Sequence, residues 1–242
     1  EVVDKCDICQ KYKRSPLRPV VSLSMAHTFN ETVAMDLKEW TKGAQKQWFL
    51  HLVDHATRFS AASVIKSKRK EVIIEELFKI WIKLFGTPQK FLVDNGGEFD
   101  NNVFREFCEN LNVKIKTTAA ESPWSNGLIE RHNGIIGESV TKTIEDVGCN
   151  LEIALAWAIS AKNSLQNNNG FSPNQLVFGK NPSFPSVLVD QLPALEGKTS
   201  SEIIAENLNA MHVARKTFIE TESSVKIRRA LRHNIRTIFY RI

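Results

Sequence analysis

The chain has 242 residues, 42% of them apolar, with five Trp and a formal net charge of +5. That length and apolar content argue for a packed globular protein with one good-sized core or two modest ones. No apolar run approaches the ~20 residues a membrane-crossing helix needs, no secretory leader pattern opens the chain, and the charge permits a polyanionic partner without demanding one.

In chain order, residues 1–10 hold Cys6 and Cys9 in a Cys-Asp-Ile-Cys run. This is half of a zinc site or a redox pair, and no strand-then-helix pattern of a thioredoxin-like unit surrounds it. The pair reads as the end of a zinc-binding module whose other ligands lie upstream, so Zn²⁺ is expected only in a longer protein. The first residue is Glu rather than Met, which fits a piece of a polyprotein. Residues 11–27 carry Lys11, Lys13, Arg14, Arg18, Pro16 and Pro19 with little periodicity and read as a linker.

A strand is predicted at about 31–39, a second from Trp48 to Asp54 and a third from Phe59 to Ile65. Their short connections predict an antiparallel meander. Glu71 to Phe85 is an amphipathic helix with Ile73, Leu77, Ile80, Trp81 and Leu84 on one stripe. A buried strand at Phe91–Asp94, a helix at Asn101–Asn110 and a strand at Val113–Thr118 follow. Long helices are predicted at Leu128–Val147 and Leu151–Asn167, then a short one with Ser172 as cap and Pro173 in its first position. The order β-β-β-α-β-α-β-α-α gives an α/β fold with a mixed five-stranded sheet flanked by helices. Residues 181–242 form a Pro-containing linker and a basic helical extension outside the main core. Cys108 and Cys149 sit in apolar helical contexts and are expected to be buried thiols.

Three acidic residues stand in telling settings. Asp36 lies in an alternating strand, Asp94 follows Phe91-Leu92-Val93 and leads into Asn95-Gly96-Gly97, and Glu130 opens a helix after Ser125-Asn126-Gly127. Taken alone, Asp94 reads first as a turn former. Carboxylates at the ends of apolar strands, however, cost desolvation energy unless a cation or hydrogen bonds compensate them. Two strand-borne Asp and a helix-borne Glu can converge on two divalent ions, an arrangement that moves phosphodiester bonds. Asp54 reads as a structural partner of Arg58, Glu98 as an exposed turn residue and His132 as a surface residue.

Basic residues cluster twice. Lys66, Lys68, Arg69 and Lys70 lie between a strand and a helix. From Met211 to Ile242, eight Lys and Arg face two Glu, a local +6 that exceeds the charge of the whole chain. Either cluster is a solvated surface or a polyanion contact.

Several motifs together resemble the catalytic core of retroviral and LTR-retrotransposon integrases. They are Met35-Asp36, Val53-Asp54-His55-Ala56-Thr57-Arg58-Phe59, Val93-Asp94-Asn95-Gly96-Gly97-Glu98-Phe99, Ser122-Pro123-Trp124-Ser125-Asn126-Gly127-Leu128-Ile129-Glu130-Arg131 and Gly170-Phe171-Ser172-Pro173-Asn174-Gln175-Leu176-Val177-Phe178-Gly179. The likeness covers about residues 28–180 and is nearer in feel to retrotransposons than to retroviruses. It implies a ribonuclease-H-like fold, with Asp36 and Asp94 on neighbouring strands. Asp36, Asp94 and Glu130 are then the catalytic ligands of two Mg²⁺ or Mn²⁺ ions, and Cys6 and Cys9 the last two ligands of an upstream His-His-Cys-Cys zinc domain. The implied reactions are trimming of element DNA ends and joining of their 3′ ends to target DNA, by a homo-oligomer, in the nucleus.

Asn95, Ser125, Asn126, Arg131 and the Lys66–Lys70 cluster are the candidate DNA contacts, although Asn95 reads first as shaping the turn after Asp94 and Ser125 reads equally as a helix cap. Retroviral members place basic residues on the helix face of Glu130, where this chain has Gly134 and Gly137. Two other readings stand beside this one: a host-adopted, catalytically silent DNA-binding relative, and a nuclease of the ribonuclease H type.

Overall fold

The computed structural model describes residues 26–43, 45–117, 127–166, 168, 170–183 and 202–232. The described residues up to Ile219 belong to one compact unit and those from Glu220 to Arg232 to a second.

Five strands form one sheet: β1 (Thr32–Lys42), β2 (Gln45–Asp54), β3 (Ser60–Ile65), β4 (Lys90–Val93) and β5 (Lys114–Thr117), in the order β3-β2-β1-β4-β5. β1, β2 and β3 pair antiparallel, as their short connections predict; β4 lies parallel to β1, and β5 parallel to β4. A mixed sheet of this kind is buried on both faces, which is why its strands read as near-continuous apolar runs.

Helices cover each face. On one, Val33, Met35, Leu50, Leu52, Phe91 and Val93 pack against α1, which runs Lys70–Leu77, then Phe78–Ile82, then Lys83–Phe85, and against α2 (Asn102–Asn110). On the other, Phe49 packs with Ile136 and Val140 of α3 (Gly127–Val147) and with Leu151 and Leu155 of α4 (Leu151–Leu165). Ala34, Val53 and Leu92 meet Ile129 of α3 there too. Alternation along β1 therefore sends Val33 and Met35 to one side and Ala34 and Asp36 to the side that α3 covers.

The capping residues act as the sequence implies. Asn101 and Asn150 each accept a bond from the backbone N–H three residues on, at 2.9 Å. Ser172 and Gln175 form a reciprocal capping box at the start of α5 (Pro173–Phe178).

Two features depart from expectation. Ile73, Leu77 and Trp81 are buried as predicted, but Leu84 is 64% exposed and Phe85 packs inward instead. The cause is the π-helical turn Phe78–Ile82, which inserts a residue into the 3.6-residue repeat and rotates everything beyond it. Phe85 thereby joins an aromatic cluster with Phe29, Phe59, Trp81 and Phe178 at centroid separations of 5.1–6.4 Å. Asn30, at φ 65°, ties this cluster to the sheet. Its Nδ2 donates to the Phe85 carbonyl at 3.0 Å, its Oδ1 accepts from Trp81 Nε1 at 2.9 Å, and its N–H donates to Asp54 Oδ2 at 3.0 Å.

The second departure concerns the C-terminal helix, α6 (Glu202–Arg232). It was expected to stand outside the core. Instead Ala210 packs with α3 and α4 residues, and Ala214 and Phe218 with Ala161. Small and aromatic residues at a four-residue spacing supply the apolar stripe that the polar average conceals. Cys108 and Cys149 are buried free thiols, and burial pushes the Cys108 pKa up to about 12. Among the described residues, no helix is long and apolar enough to cross a membrane.

Candidate active site

The β1–β4 ladder pairs Thr32 with Lys90, Val33 with Phe91 and Ala34 with Leu92. Continuing that register by two residues brings Asp36 level with Asp94. Both carboxylates are half-buried, and they feel each other. Burial raises the Asp36 pKa first and the charge of Asp94 raises it further. Among the described residues, no basic side chain stands at ion-pair distance from either. Two like charges held close, with only the more distant Lys38 to offset them, are a chemical fit for a divalent cation with oxygen ligands.

Asp94 is also the turn former that its sequence suggested. Its Oδ1 accepts the Gly96 N–H at 3.1 Å. A Cβ on Gly96 would lie 2.5 Å from Glu98 Oε2 and 3.0 Å from Asp94 Oδ1. Only a bare Cα leaves room for both carboxylates there. Glu98 is accordingly not the exposed turn residue expected: it is half-buried and turned toward Asp94, because the Gly96-Gly97 turn folds the chain back on itself.

Glu130 lies in the first turn of α3, directly after Ile129, which is packed on Ala34 and Leu92. Its side chain is exposed. Among the described residues, no three His, Cys, Asp or Glu side chains are gathered closely enough to hold a metal ion. The structure thus brings Asp36 and Asp94 together and leaves Glu130 on the exposed side of the helix start.

The residue that touches Asp36 is one that sequence reading passed over. Asn133, one turn along α3 from Glu130, is 4% exposed, and its Nδ2 donates to Asp36 Oδ2 at 2.5 Å. Its Oδ1 is 2.6 Å from His51 Nδ1, and His51 Nε2 is 3.0 Å from Ser60 Oγ. Burial holds the His51 pKa down to about 3, so the ring is neutral. The i, i+3 spacing from Glu130 was the available signal.

His132 is buried, contrary to expectation, because α3 is covered on a broad arc by both the sheet and α4. Burial carries its pKa well below the ordinary range. Asp54 is structural as expected, but its main partners are the backbone N–H groups of Ala56 and Thr57 and the Thr57 hydroxyl rather than Arg58.

The remaining candidates are scattered. Asn95 and Arg131 are exposed; Gly134 and Gly137 leave open space beside them on α3. Lys66 and Arg69 are exposed and Lys70 half-buried. Lys68 is already engaged, with its Nζ 3.4 Å from the Trp48 ring centroid and 3.5 Å from Glu98. Cys6, Cys9, Ser125 and Asn126 lie outside the described residues.

A mixed sheet in this strand order, with paired carboxylates beside a covering helix, defines a ribonuclease-H-like α/β domain. Comparison with known proteins narrows this. Residues 59–146 match the TnsB C-terminal domain family. The Gag-Pol polyprotein of avian reticuloendotheliosis virus is 30% identical over 175 residues, 72% of this chain and 15% of that protein. The Pol polyprotein from transposon 412 of Drosophila melanogaster is 23% identical over 161 residues, 66% of this chain and 13% of that protein. The integrase catalytic core domain of HTLV-2, solved with magnesium in a dimeric form, superposes with a TM-score of 0.54 at 26% identity, covering 62% of this chain and 97% of that one. The chain belongs with the retroviral and LTR-retrotransposon integrase catalytic cores, and it spans only about a seventh of the polyproteins it matches.

Proposed function

We propose that this chain is the catalytic core of a DNA integrase, which trims the ends of an element's DNA and joins the resulting 3′ ends to target DNA. The observation that carries this reading is the Asp36–Asp94 pair, each two residues beyond the Ala34–Leu92 couple of adjacent parallel strands and with no described basic side chain at ion-pair distance. Asp36, Asp94 and Glu130 would hold two Mg²⁺ or Mn²⁺ ions. Bound there, the ions supply activation of a water or 3′-hydroxyl nucleophile and stabilisation of the departing oxygen. Asn133 orients Asp36, the bare Gly96 keeps Asp94 accessible, and Glu130 is carried on a helix whose first turn sits over the same sheet face.

DNA is the expected partner. Asn95, Arg131, Lys66, Arg69 and Lys70 are the available contacts, with Ser125 and Asn126 ahead of α3. Lys68 would have to leave Trp48 and Glu98 to reach a phosphate. A homo-oligomer acting in the nucleus, and zinc held upstream by Cys6 and Cys9 with ligands outside this sequence, complete the proposal. The HTLV-2 core's dimeric, magnesium-containing form supports the oligomer and the ion.

A strand-transfer assay with Mg²⁺ and element-end DNA on a protein extended at both ends tests it. Joining that disappears in Asp94→Asn supports the integrase reading. DNA binding without any reaction supports the silent relative, and cutting of an RNA–DNA hybrid without joining supports a nuclease.

A further inference from the structure

A line of hydrogen-bonded polar side chains runs through the buried layer between the sheet and α3. It starts at Asp36 and passes through Asn133, His51 and Ser60 to Asn163 of α4. His51 is fully buried and stands opposite Asp36 in the β1–β2 register, yet the two meet only through Asn133. Ser60 is pinned at the far end: its N–H donates to Asn163 Oδ1 at 2.9 Å and its carbonyl accepts from Asn163 Nδ2 at 2.8 Å. Buried polar groups of this kind cost stability unless every one is bonded, and an apolar residue at position 51 would fill the same space without that demand.

The bonding pattern has a direction. An ionised Asp36 can only accept, so Asn133 must present its NH₂ to it. The Asn133 oxygen then needs a donor, which His51 supplies from a protonated Nδ1. That leaves Nε2 bare to accept the Ser60 hydroxyl. With the other tautomer, Nδ1 would accept from the Asn133 NH₂ and turn the amide oxygen onto Asp36, oxygen against oxygen. One imidazole tautomer therefore selects one carboxamide orientation and one carboxylate position.

We propose that His51 is a positioning residue that, in the Nδ1–H tautomer the Asn133 oxygen demands and with Ser60 on its other nitrogen, locks the Asn133 carboxamide and through it the Asp36 oxygens for cation binding. This rests on the reading of Asp36 as a cation ligand. His51 touches neither ion nor DNA.

The test uses the full chain. Long-range ¹⁵N–¹H spectra of the wild-type protein between pH 6 and 8 should show His51 protonated at Nδ1 alone, with that preference lost in Asn133→Leu; a wild-type Nε2–H form overturns the proposal. Mn²⁺ titration followed by electron paramagnetic resonance should show about tenfold weaker binding in His51→Leu. His51→Asn, which can place a donor where Nδ1 stood, should recover most of it. In joining assays on the extended protein, kcat falls in His51→Leu while KM for DNA holds. Equal Mn²⁺ affinity in wild type and His51→Leu overturns the relay alone, as does His51→Asn behaving no better than His51→Leu. No Mn²⁺ binding by the wild type overturns the cation reading beneath it. Should His51→Leu fail to fold, Asn133→Leu carries the same measurements, with wild-type affinity in that variant counting against the relay.

Discussion

Asp36, on β1, and Asp94, the residue just past β4, each lie two residues beyond a paired couple, Ala34 and Leu92. The apolar couple is sealed under Ile129 of α3, and the acidic couple emerges just past that seal. The site is thus the rim of a core that ends abruptly, and it is held in place by packing that has already been completed.

Such a rim costs stability. Burial and then Asp94 raise the Asp36 pKa, so its ionised form is disfavoured on folding. For a carboxylate shifted upward, the penalty is absent below the unfolded value near 3.9 and is fully present above the folded one. Without divalent ions, Asp36→Asn should raise the melting temperature at pH 7 and lose that advantage at acidic pH. The same variant should not join DNA. Calorimetry at both pH values, together with the joining assay, checks this; an unchanged melting temperature at pH 7 contradicts the electrostatic account.

A cation that relieves the repulsion should stabilise the fold by mass action. At a concentration 100 times its Kd, Mg²⁺ or Mn²⁺ adds about 2.7 kcal/mol, worth roughly 5–10 °C in a domain of this size. Calcium-free, chelator-treated protein titrated with Mn²⁺ should show that rise, and Asp94→Asn should not.

Gly96→Ala should separate stability from activity. The new Cβ must displace the Glu98 carboxylate and press on Asp94 Oδ1. Glu98 can swing away at little cost, so the melting temperature should move by no more than about 2 °C. Asp94 cannot move freely, and a shift approaching 1 Å at a reacting centre costs on the order of 100-fold in rate. A variant that joins at the wild-type rate would show that Asp94 does not act from this position.

Acid should unfold the protein through its buried histidines. Burial lowers the pKa of His51 to about 3 and of His55 to about 4, and that of His132 further still, from an ordinary 6.5. Groups depressed in this way stabilise the fold above the unfolded pKa, and that contribution drains away as pH falls through the folded one. Below pH 6.5, unfolding takes up as many as three extra protons, a slope approaching roughly 4 kcal/mol per pH unit. Urea midpoints measured from pH 7 to pH 5 give the slope directly, and a flat profile refutes it.

Asn30→Ala should destabilise by about 2–4 kcal/mol. The substitution strands the Trp81 indole N–H and the Phe85 carbonyl and keeps a left-handed backbone that Ala tolerates poorly. Chemical denaturation measures the loss; a change under 1 kcal/mol would mean that the aromatic cluster holds without its clasp.

The strands and the helix order were legible because period-two and period-3.6 patterns report local backbone geometry directly, whereas the neighbouring placement of Asp36 and Asp94 was implied only by the family resemblance. Leu84 was misplaced because a π turn leaves no periodic trace until the phase has already slipped. His132 and Glu98 were misplaced because polarity alone does not reveal that a neighbouring helix or a folded-back turn covers a side chain. The contacts of Asn133 with Asp36 and His51 span 97 and 82 residues of chain. No window along one sequence contains both ends of such a bond. His51 sits in the apolar run Trp48-Phe49-Leu50-His51-Leu52-Val53, where it looks like an ordinary strand residue.

The extra residue in the first helix has a further consequence for anyone tracing descent. A related protein built with an unbroken α-helix in that place can be matched to this one only by opening a one-residue gap between Phe78 and Ile82. Alignment procedures resist gaps inside helices, and forcing the two sequences together without one would pair Leu84 with a buried counterpart and Phe85 with a solvent-facing one. A structural superposition that leaves one residue of this turn unmatched would be the signature of an insertion retained in this lineage.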